Sequence, residues 1–265
     1  MKIIVCVKQV PDTTDIRWTE NNTLIRDGVE SVVNPCDYYA IESALKVKDY
    51  NENTQITAIS MGPKQAENAL KEVLSMGVDD AFLLCDRFFA GSDTASTARV
   101  LAAGIKEKCN DFDIVLCGQY ASDGDTAQTG PSLAQNLNIA IVTNVIKIEK
   151  IEQKYVVVRK ITEEGILKIK IELPTVICML KNDETVRMPK ISGRMKAQDY
   201  NLPIYNAQDI GFNAEFSGFK GSPTYVKKAF RPQGHTLKEF YSDMESEQSA
   251  NLLIKKLFEK ELSNE

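Results

Sequence analysis

The chain has 265 residues, 43% of them apolar and 26% charged, with a formal net charge of -5. A chain of this length and composition is an ordinary folded globular protein with a substantial core. The acidic balance argues against general binding to nucleic acid or an anionic membrane, and leaves room only for a local basic patch. No apolar run approaches a membrane span. The apolar part of Met1-Lys-Ile-Ile-Val-Cys-Val-Lys8 is too short for a secretory leader. A cytoplasmic location is expected.

Side-chain chemistry is sparse. Cys6, Cys36, Cys85, Cys109, Cys117 and Cys178 include no pair at metal-ligand spacing. Cys6, Cys85, Cys117 and Cys178 sit in apolar runs and read as reduced core thiols. The one histidine is His235, in a polar tail. That excludes a multi-histidine metal site and disfavours Ser-His-Asp or Cys-His catalysis. Reactive groups are expected to arrive with a cofactor, and whether the chain is itself an enzyme stays open.

Taken in chain order, residues 1 to about 145 alternate short strands with amphipathic helices. Ile3–Val7 reads as the first strand. Asn34-Pro-Cys-Asp37 opens a helix, with Asn34 suited to the N-cap, Pro35 to the first helical position and Asp37 to the first turn. Gln55–Ser60 is a second strand, and Gly62-Pro63 starts a helix that stops at Gly77. Ala81–Cys85 is a third strand, followed by a helix opening at Ser92-Asp-Thr94. Asp113–Cys117 is the fourth. Repeated βα units imply an α/β fold, with a Rossmann-like, twisted, mostly parallel sheet and helices on both faces.

The fourth strand runs into Gly118-Gln-Tyr-Ala-Ser-Asp-Gly-Asp-Thr-Ala-Gln-Thr-Gly130 and then a helical pattern with Leu133 and Leu137. A Gly- and hydroxyl-rich turn at a helix N-terminus suits an anion, because free amides and the helix dipole point at it. The loop holds no Lys or Arg, so amides and hydroxyls would have to hold a phosphate. The competing reading is a polar loop in which Asp125 or Thr126 caps the helix. Asp123–Asp125 mimics the start of a calcium loop, but Ala127 and a missing later Glu break that pattern.

Beyond this, Tyr155–Ile161 and Ile166–Leu173 flank Glu163-Glu-Gly165 as a hairpin at about 154–173 with one solvated face. A last apolar run, Thr175–Leu180, follows. Residues 181 to about 235 lack a sustained period and are expected to be disordered or to lie against another subunit, the latter favoured by their apolar residues. Ser249–Leu262 reads as an amphipathic helix carrying Leu252, Leu253, Leu257 and Phe258. The expected division is a nucleotide-binding domain over 1–180 and an extended partner-recognition and subunit-wrapping arm over 181–265.

Five segments in order carry a family resemblance: Val5-Cys-Val-Lys-Gln-Val-Pro-Asp12, Asn34-Pro35, Met61-Gly-Pro63, Gly118-Gln119 with Asp123–Pro131, and Met195-Lys-Ala197. Over nearly its whole length the chain resembles the β subunit of electron-transfer flavoprotein. The resemblance implies a heterodimer with an α subunit carrying one FAD, and a second adenine nucleotide on the β subunit. In conventional members that nucleotide is AMP. In electron-bifurcating members it is a second FAD that accepts hydride from NADH. One electron then goes to ferredoxin or flavodoxin, and the other passes through the α-subunit flavin to a partner dehydrogenase.

Asp123-Gly-Asp-Thr-Ala-Gln-Thr-Gly-Pro131, Val10-Pro-Asp-Thr13 and Phe88–Thr94 resemble the bifurcating branch, which is therefore the expectation. The alternatives are a conventional AMP-binding β subunit without NADH oxidation, and a non-redox nucleotide-binding module sharing only the fold. The expected nucleotide contacts are Cys6, Val7 and Lys8 beside the adenine, Asn34 and Asp37, and Met61 and Gly62. To these the resemblance adds Asp123, Gly124, Asp125, Thr126, Gln128, Thr129 and Gly130. Gly91, Asp93, Thr94 and Thr97 are placed near the isoalloxazine and the NADH site, although Ser92 could simply cap its helix. Arg159 is assigned either to the flavin interface or to a surface salt bridge. Where the family carries a docking Leu followed by Asn-Glu-Pro-Arg, this chain has Leu180-Lys-Asn-Asp-Glu-Thr-Val-Arg187. The partner is accordingly expected to be a flavin-dependent dehydrogenase of acyl-CoA or 2-hydroxy-acid type.

Overall fold

A computed structural model describes residues 1–12, 17–18, 24–25, 31–227 and 244–261. Two units are distinguished, Met1–Lys228 and Ala229–Glu265. In the first unit, β1 (Lys2–Cys6) is followed by β2 (Gln9–Pro11), β3 (Arg17–Trp18), β4 (Leu24–Ile25) and β5 (Ser31–Val33). Then come α1 (Pro35–Tyr50), β6 (Gln55–Met61), α2 (Glu67–Met76), β7 (Asp80–Leu84), α3 (Thr94–Lys108) and β8 (Ile114–Gly118). Next are α4 (Thr129–Leu137), β9 (Ala140–Ile151), β10 (Tyr155–Thr162), β11 (Gly165–Glu172) and β12 (Thr175–Met179). The unit closes with α5 (Ile191–Asp199), β13 (Ile204–Tyr205) and α6 (Gly218–Gly221).

Among the described residues, nine strands form one sheet in the order β11-β10-β9-β12-β8-β1-β6-β7-β13. From β9 to β13 all neighbours are parallel, and β10 and β11 extend the sheet antiparallel. Side chains alternate across it. Ile3 and Val5 join the core beneath α1 and α2, while Ile4 and Cys6 join the core beneath α3 and α4. Burial on both faces explains why β1 after Lys2, β8 and β12 after Thr175 run apolar. Each fully buried Ile or Leu contributes about 1.5–3 kcal/mol, so these strands form a rigid platform.

The expected hairpin has a third strand. β9 pairs with β10 on one side and β12 on the other. Its alternation is interrupted at Asn144, which adopts a left-handed φ of 57°. The register against β12 shifts there, and the register against β10 shifts twice further along, between Val145 and Lys150. That break hides the strand from a period-two reading. The run Thr175–Leu180 supplies β12, which enters the middle of the sheet rather than its edge.

The stretch after β12 carries more structure than its lack of period suggests. α5 packs on α2, where a Cβ on Gly193 would fall 2.2 Å from Ser75 O. β13 adds to the sheet edge, with the Leu83 and Cys85 amides donating to Pro203 O and Tyr205 O, both at 2.9 Å. These elements are short and held by tertiary contact, so they leave no local repeat. Ala197, Ala207 and Ile210 turn inward, whereas Met188, Ile191, Met195 and Phe219 stay exposed. Residues 228–243, His235 and Pro232 among them, lie outside the described residues, as does Thr13. In the second unit, α7 (Ser246–Glu261) is the expected amphipathic helix, with Leu253, Leu257 and Phe258 exposed. No helix among the described residues is long and apolar enough to cross a membrane.

Candidate nucleotide site

From β1 the chain builds outward through β6 and β7, then returns to place β8 on the other side of β1. Such a reversal opens a crevice at the carboxyl ends of the two central strands. A cavity of about 820 Å³ lies there. Its lining comes from five segments far apart in sequence. Cys6, Val7 and Lys8 come from the end of β1, Asn34 and Asp37 from the start of α1, and Met61 and Gly62 from the turn after β6. The β7–α3 loop and the first turn of α3 give Gly91, Asp93, Thr94 and Thr97, and the β8–α4 loop with the first residue of α4 gives Asp123, Gly124, Asp125, Thr126 and Thr129. Gln128 and Gly130 are not part of the lining. Gly130 faces β12 instead, where a Cβ would fall 2.2 Å from Cys178 Sγ.

A buried polar knot holds the first, second and fifth segments together. Asp37 Oδ2 accepts the Lys8 amide at 2.7 Å, and Oδ1 accepts Asn34 Nδ2 at 2.9 Å. Asn34 Nδ2 also donates to Tyr120 O at 2.9 Å, and its Oδ1 accepts the Ser122 amide at 3.1 Å. Asn34 stands at the N-cap position, but its side chain makes no capping bond and anchors the β8–α4 loop instead. Gly118 is required by the same knot, since a Cβ there would lie 2.3 Å from Asp37 Oδ1. Burial pushes the Asp37 carboxyl up to about 7, against the pull of the Asn34, Lys8 and Gly118 donors.

The β8–α4 loop is shaped by two left-handed non-glycine residues, Asp125 at φ 46° and Ala127 at φ 53°. Neither Asp125 nor Thr126 caps α4. The cap position is Gln128, which makes no side-chain capping bond, so the first amides of the helix keep no side-chain acceptor. A Cβ on Gly124 would meet nothing within 4 Å, so the loop is open at that point. The loop lacks its own cation, but Lys8 supplies one from β1: its Nζ meets Asp123 Oδ1 at 2.5 Å. Sequence reading could not foresee that pairing across 115 residues.

Asp93, rather than Ser92, caps α3, accepting the Ser96 amide at 2.9 Å. Burial raises its carboxyl, but the Ser96 and Thr224 donors outweigh that and hold it below the ordinary range. Lys64 and Arg87, outside every quoted motif, also line the cavity, as do Phe89 and Gln119, which lie in quoted motifs but were not expected as contacts. Gln119 reaches past the loop, its Oε1 accepting the Asn144 amide at 2.7 Å. The position of Arg87 just after a parallel strand was the available signal. Arg159 pairs with Glu149 on the exposed face of the antiparallel extension and is absent from the cavity lining.

All six cysteines are free. Cys6 and Cys117 are neighbours on β1 and β8, and their mutual hydrogen bond together with burial holds the Cys117 thiol well above its ordinary value. Buried, protonated thiols of this kind are poor nucleophiles. The cavity can therefore position and solvate a ligand, and among its described lining residues the thiols of Cys117 and of Cys85, the latter also raised above its ordinary value by burial, are not activated nucleophiles.

A profile of the electron transfer flavoprotein domain matches residues 21–209. The chain is 41% identical over 263 residues to the caffeyl-CoA reductase–Etf complex subunit CarD of Acetobacterium woodii, covering 99% of this chain and 100% of that one. It is 43% identical over 238 residues to the electron transfer flavoprotein subunit beta of Megasphaera elsdenii, covering 88% of each. Protein FixA of Azorhizobium caulinodans is 36% identical over 268 residues, covering 98% of this chain and 95% of its own length. With the fold, the switch-point cavity and these relatives in agreement, the chain belongs to the electron transfer flavoprotein family and to its β subunits.

Proposed function

We propose that this chain is the β subunit of an electron-bifurcating electron transfer flavoprotein, holding FAD in the switch-point cavity and using NADH as electron donor. Its partners would be an α subunit with its own FAD, ferredoxin or flavodoxin, and a flavin-dependent dehydrogenase. One observation carries the reading. A single cavity of about 820 Å³ spans both the phosphate-type loop 118–130 and the β7–α3 loop. That volume stands in the upper part of the range for cofactor clefts, about 300–1,000 Å³. A mononucleotide against the first loop alone would leave the second wall without a ligand.

The residues present fit the group. The open edge at Gly124, the uncapped start of α4 and the hydroxyls of Thr126 and Thr129 suit a pyrophosphate. Lys8 supplies positive charge to the same loop while paired with Asp123. Met61, Phe89 and Leu101 give the cavity apolar surface, which suits a flat ring. The bound flavin would supply the redox chemistry. The protein's share is to orient it and to set the polarity around it.

The name of CarD, a subunit of a caffeyl-CoA reductase complex, favours a dehydrogenase of acyl-CoA type over one for a 2-hydroxy acid. Flavin stoichiometry tests the proposal. About two FAD per αβ pair supports it; one FAD with one AMP overturns it in favour of a conventional β subunit.

A further inference from the structure

The β7–α3 loop forms one wall of the cavity, and much of what holds it lies on its far side. There the segment from Phe216 to Thr224 runs across it, although no residue of that segment lines the cavity. Arg99, on α3 and also outside the lining, donates through Nη1 to Phe216 O at 3.2 Å and to Gly221 O at 2.8 Å. The Asp93 amide donates to Ser222 Oγ at 2.8 Å, and Asp93 Oδ2 accepts both the amide and the hydroxyl of Thr224, at 3.0 and 2.8 Å. The Gly218 amide donates to Ser92 Oγ at 2.8 Å, and Ser217 Oγ to Phe88 O at 3.0 Å.

Packing is equally close. Gly91 has a φ of +77°, and a Cβ there would fall 2.3 Å from Cε2 of Phe219. Gly218, at φ +61°, would place a Cβ 2.4 Å from Phe88 O. Gly218 is needed where the two backbones meet, and Gly91 for its left-handed φ beneath the Phe219 ring. A loop fixed in this way is ordered before a ligand arrives, so binding does not have to supply the ordering.

We infer that Arg99 and the Phe216–Thr224 segment form a clamp that positions the β7–α3 wall, so that nucleotide retention depends on residues that never touch the nucleotide. This rests on the reading of the cavity as a nucleotide site. Asp93 is then a positioning residue as well, its carboxylate already taken up by α3 and Thr224.

The test uses the full chain co-produced with its α subunit, with adenine-nucleotide content and release rate followed after transfer into nucleotide-free buffer. Arg99→Ala is expected to speed release by about tenfold, and Arg99→Lys, which can still reach one carbonyl, to recover part of it. Ser222→Ala, a milder change, should speed release by a smaller factor and serves if Arg99→Ala fails to fold. Arg187→Ala breaks an ion pair with α1, on the other face of the sheet, and should lower the melting temperature without changing release. Unchanged release in Arg99→Ala and Ser222→Ala overturns the clamp alone. So does release that simply follows melting temperature across all the variants. An unsubstituted complex with no adenine nucleotide beyond the α-subunit FAD overturns the reading of the cavity, and the clamp with it.

Discussion

Asn34 and Asp37 stand one helical turn apart at the start of α1, and Asn34 Nδ2 donates to Asp37 Oδ1 across 2.9 Å. The same Asn34 side chain bonds Tyr120 O and the Ser122 amide, so it joins the helix start to the loop that carries Gly124 and Thr126. Asn34→Ala leaves a buried carboxylate and two loop groups without their partner. One orphaned buried group costs about 1–3 kcal/mol, so the variant is expected to lose about 2–3 kcal/mol in urea unfolding. Its bound nucleotide should fall in parallel. Full stability in the variant would mean that solvent replaces the amide, and that the knot does not organise the loop.

Asp37 predicts a pH dependence with an unusual sign. Its carboxyl stands at about 7 in the folded protein, above an unfolded value of about 3.9. Between those values the folded state binds more protons than the unfolded chain. The contribution of Asp37 is therefore complete below about pH 4 and is lost as pH rises toward 7. Asp49 and Asp93, held low in the fold, contribute in the opposite sense, so the comparison must be made against a variant. The difference in stability between the unsubstituted protein and Asp37→Asn should shrink from about pH 4 to about pH 7 at fixed ionic strength. Parallel curves across that window would place the Asp37 titration elsewhere.

These two residues also show how far the sequence could be read. Asn34-Pro-Cys-Asp37 announced a helix start, and the start is there, because Pro35 and an acidic first turn are local signals. What the pair does is not local. Its partners Lys8, Tyr120 and Ser122 are up to 88 residues away, and no spacing rule carries that information. Likewise the βα units were legible because both of their periods are local. β9 was not, because Asn144 breaks its alternation. The arm from Met188 to Phe219 was not, because its short elements take their shape from α2, β7 and α3.

Arg187 makes a sharper stability prediction. It donates through Nε and Nη2 to the two oxygens of Glu42, at 2.9 and 3.0 Å, and through Nη2 to Asp49 at 2.7 Å. Glu42 is only 4% exposed, so removing its cation leaves a buried carboxylate with only the amide of residue 187, at 3.0 Å, as donor. Breaking a buried pair in this way costs about 3–5 kcal/mol. Because Arg187 is 30% exposed, the lower end, about 3 kcal/mol, is expected for Arg187→Ala. Arg187→Met with Glu42→Leu should recover much of that loss, measured as a coupling in a double-mutant cycle.

Arg159 should behave differently. Its partner Glu149 also takes Lys168, and the Arg159 side chain is 51% exposed. The Glu149 side chain is 12% exposed but keeps Lys168 as its cation, and an ion pair open to solvent at its Arg159 end adds little. Arg159→Ala is therefore expected to keep the unsubstituted flavin content and melting temperature. A selective loss of flavin would return Arg159 to the flavin interface.

Gly130 separates packing from ligand contact most cleanly. It lies in the first turn of α4, and a Cβ would fall 2.2 Å from Cys178 Sγ on β12. Gly130→Ala must push the helix off the sheet, and such overpacking costs about 1–3 kcal/mol. Cys178→Ala removes the obstructing sulfur at the cost of a small void. The double variant should then be more stable than the sum of the two single losses predicts, a coupling readable in urea unfolding. If Gly130 instead serves the nucleotide by letting it approach the backbone where a Cβ would block it, the double variant regains stability yet still loses nucleotide. Recovery of both together would assign this glycine to the contact between α4 and β12.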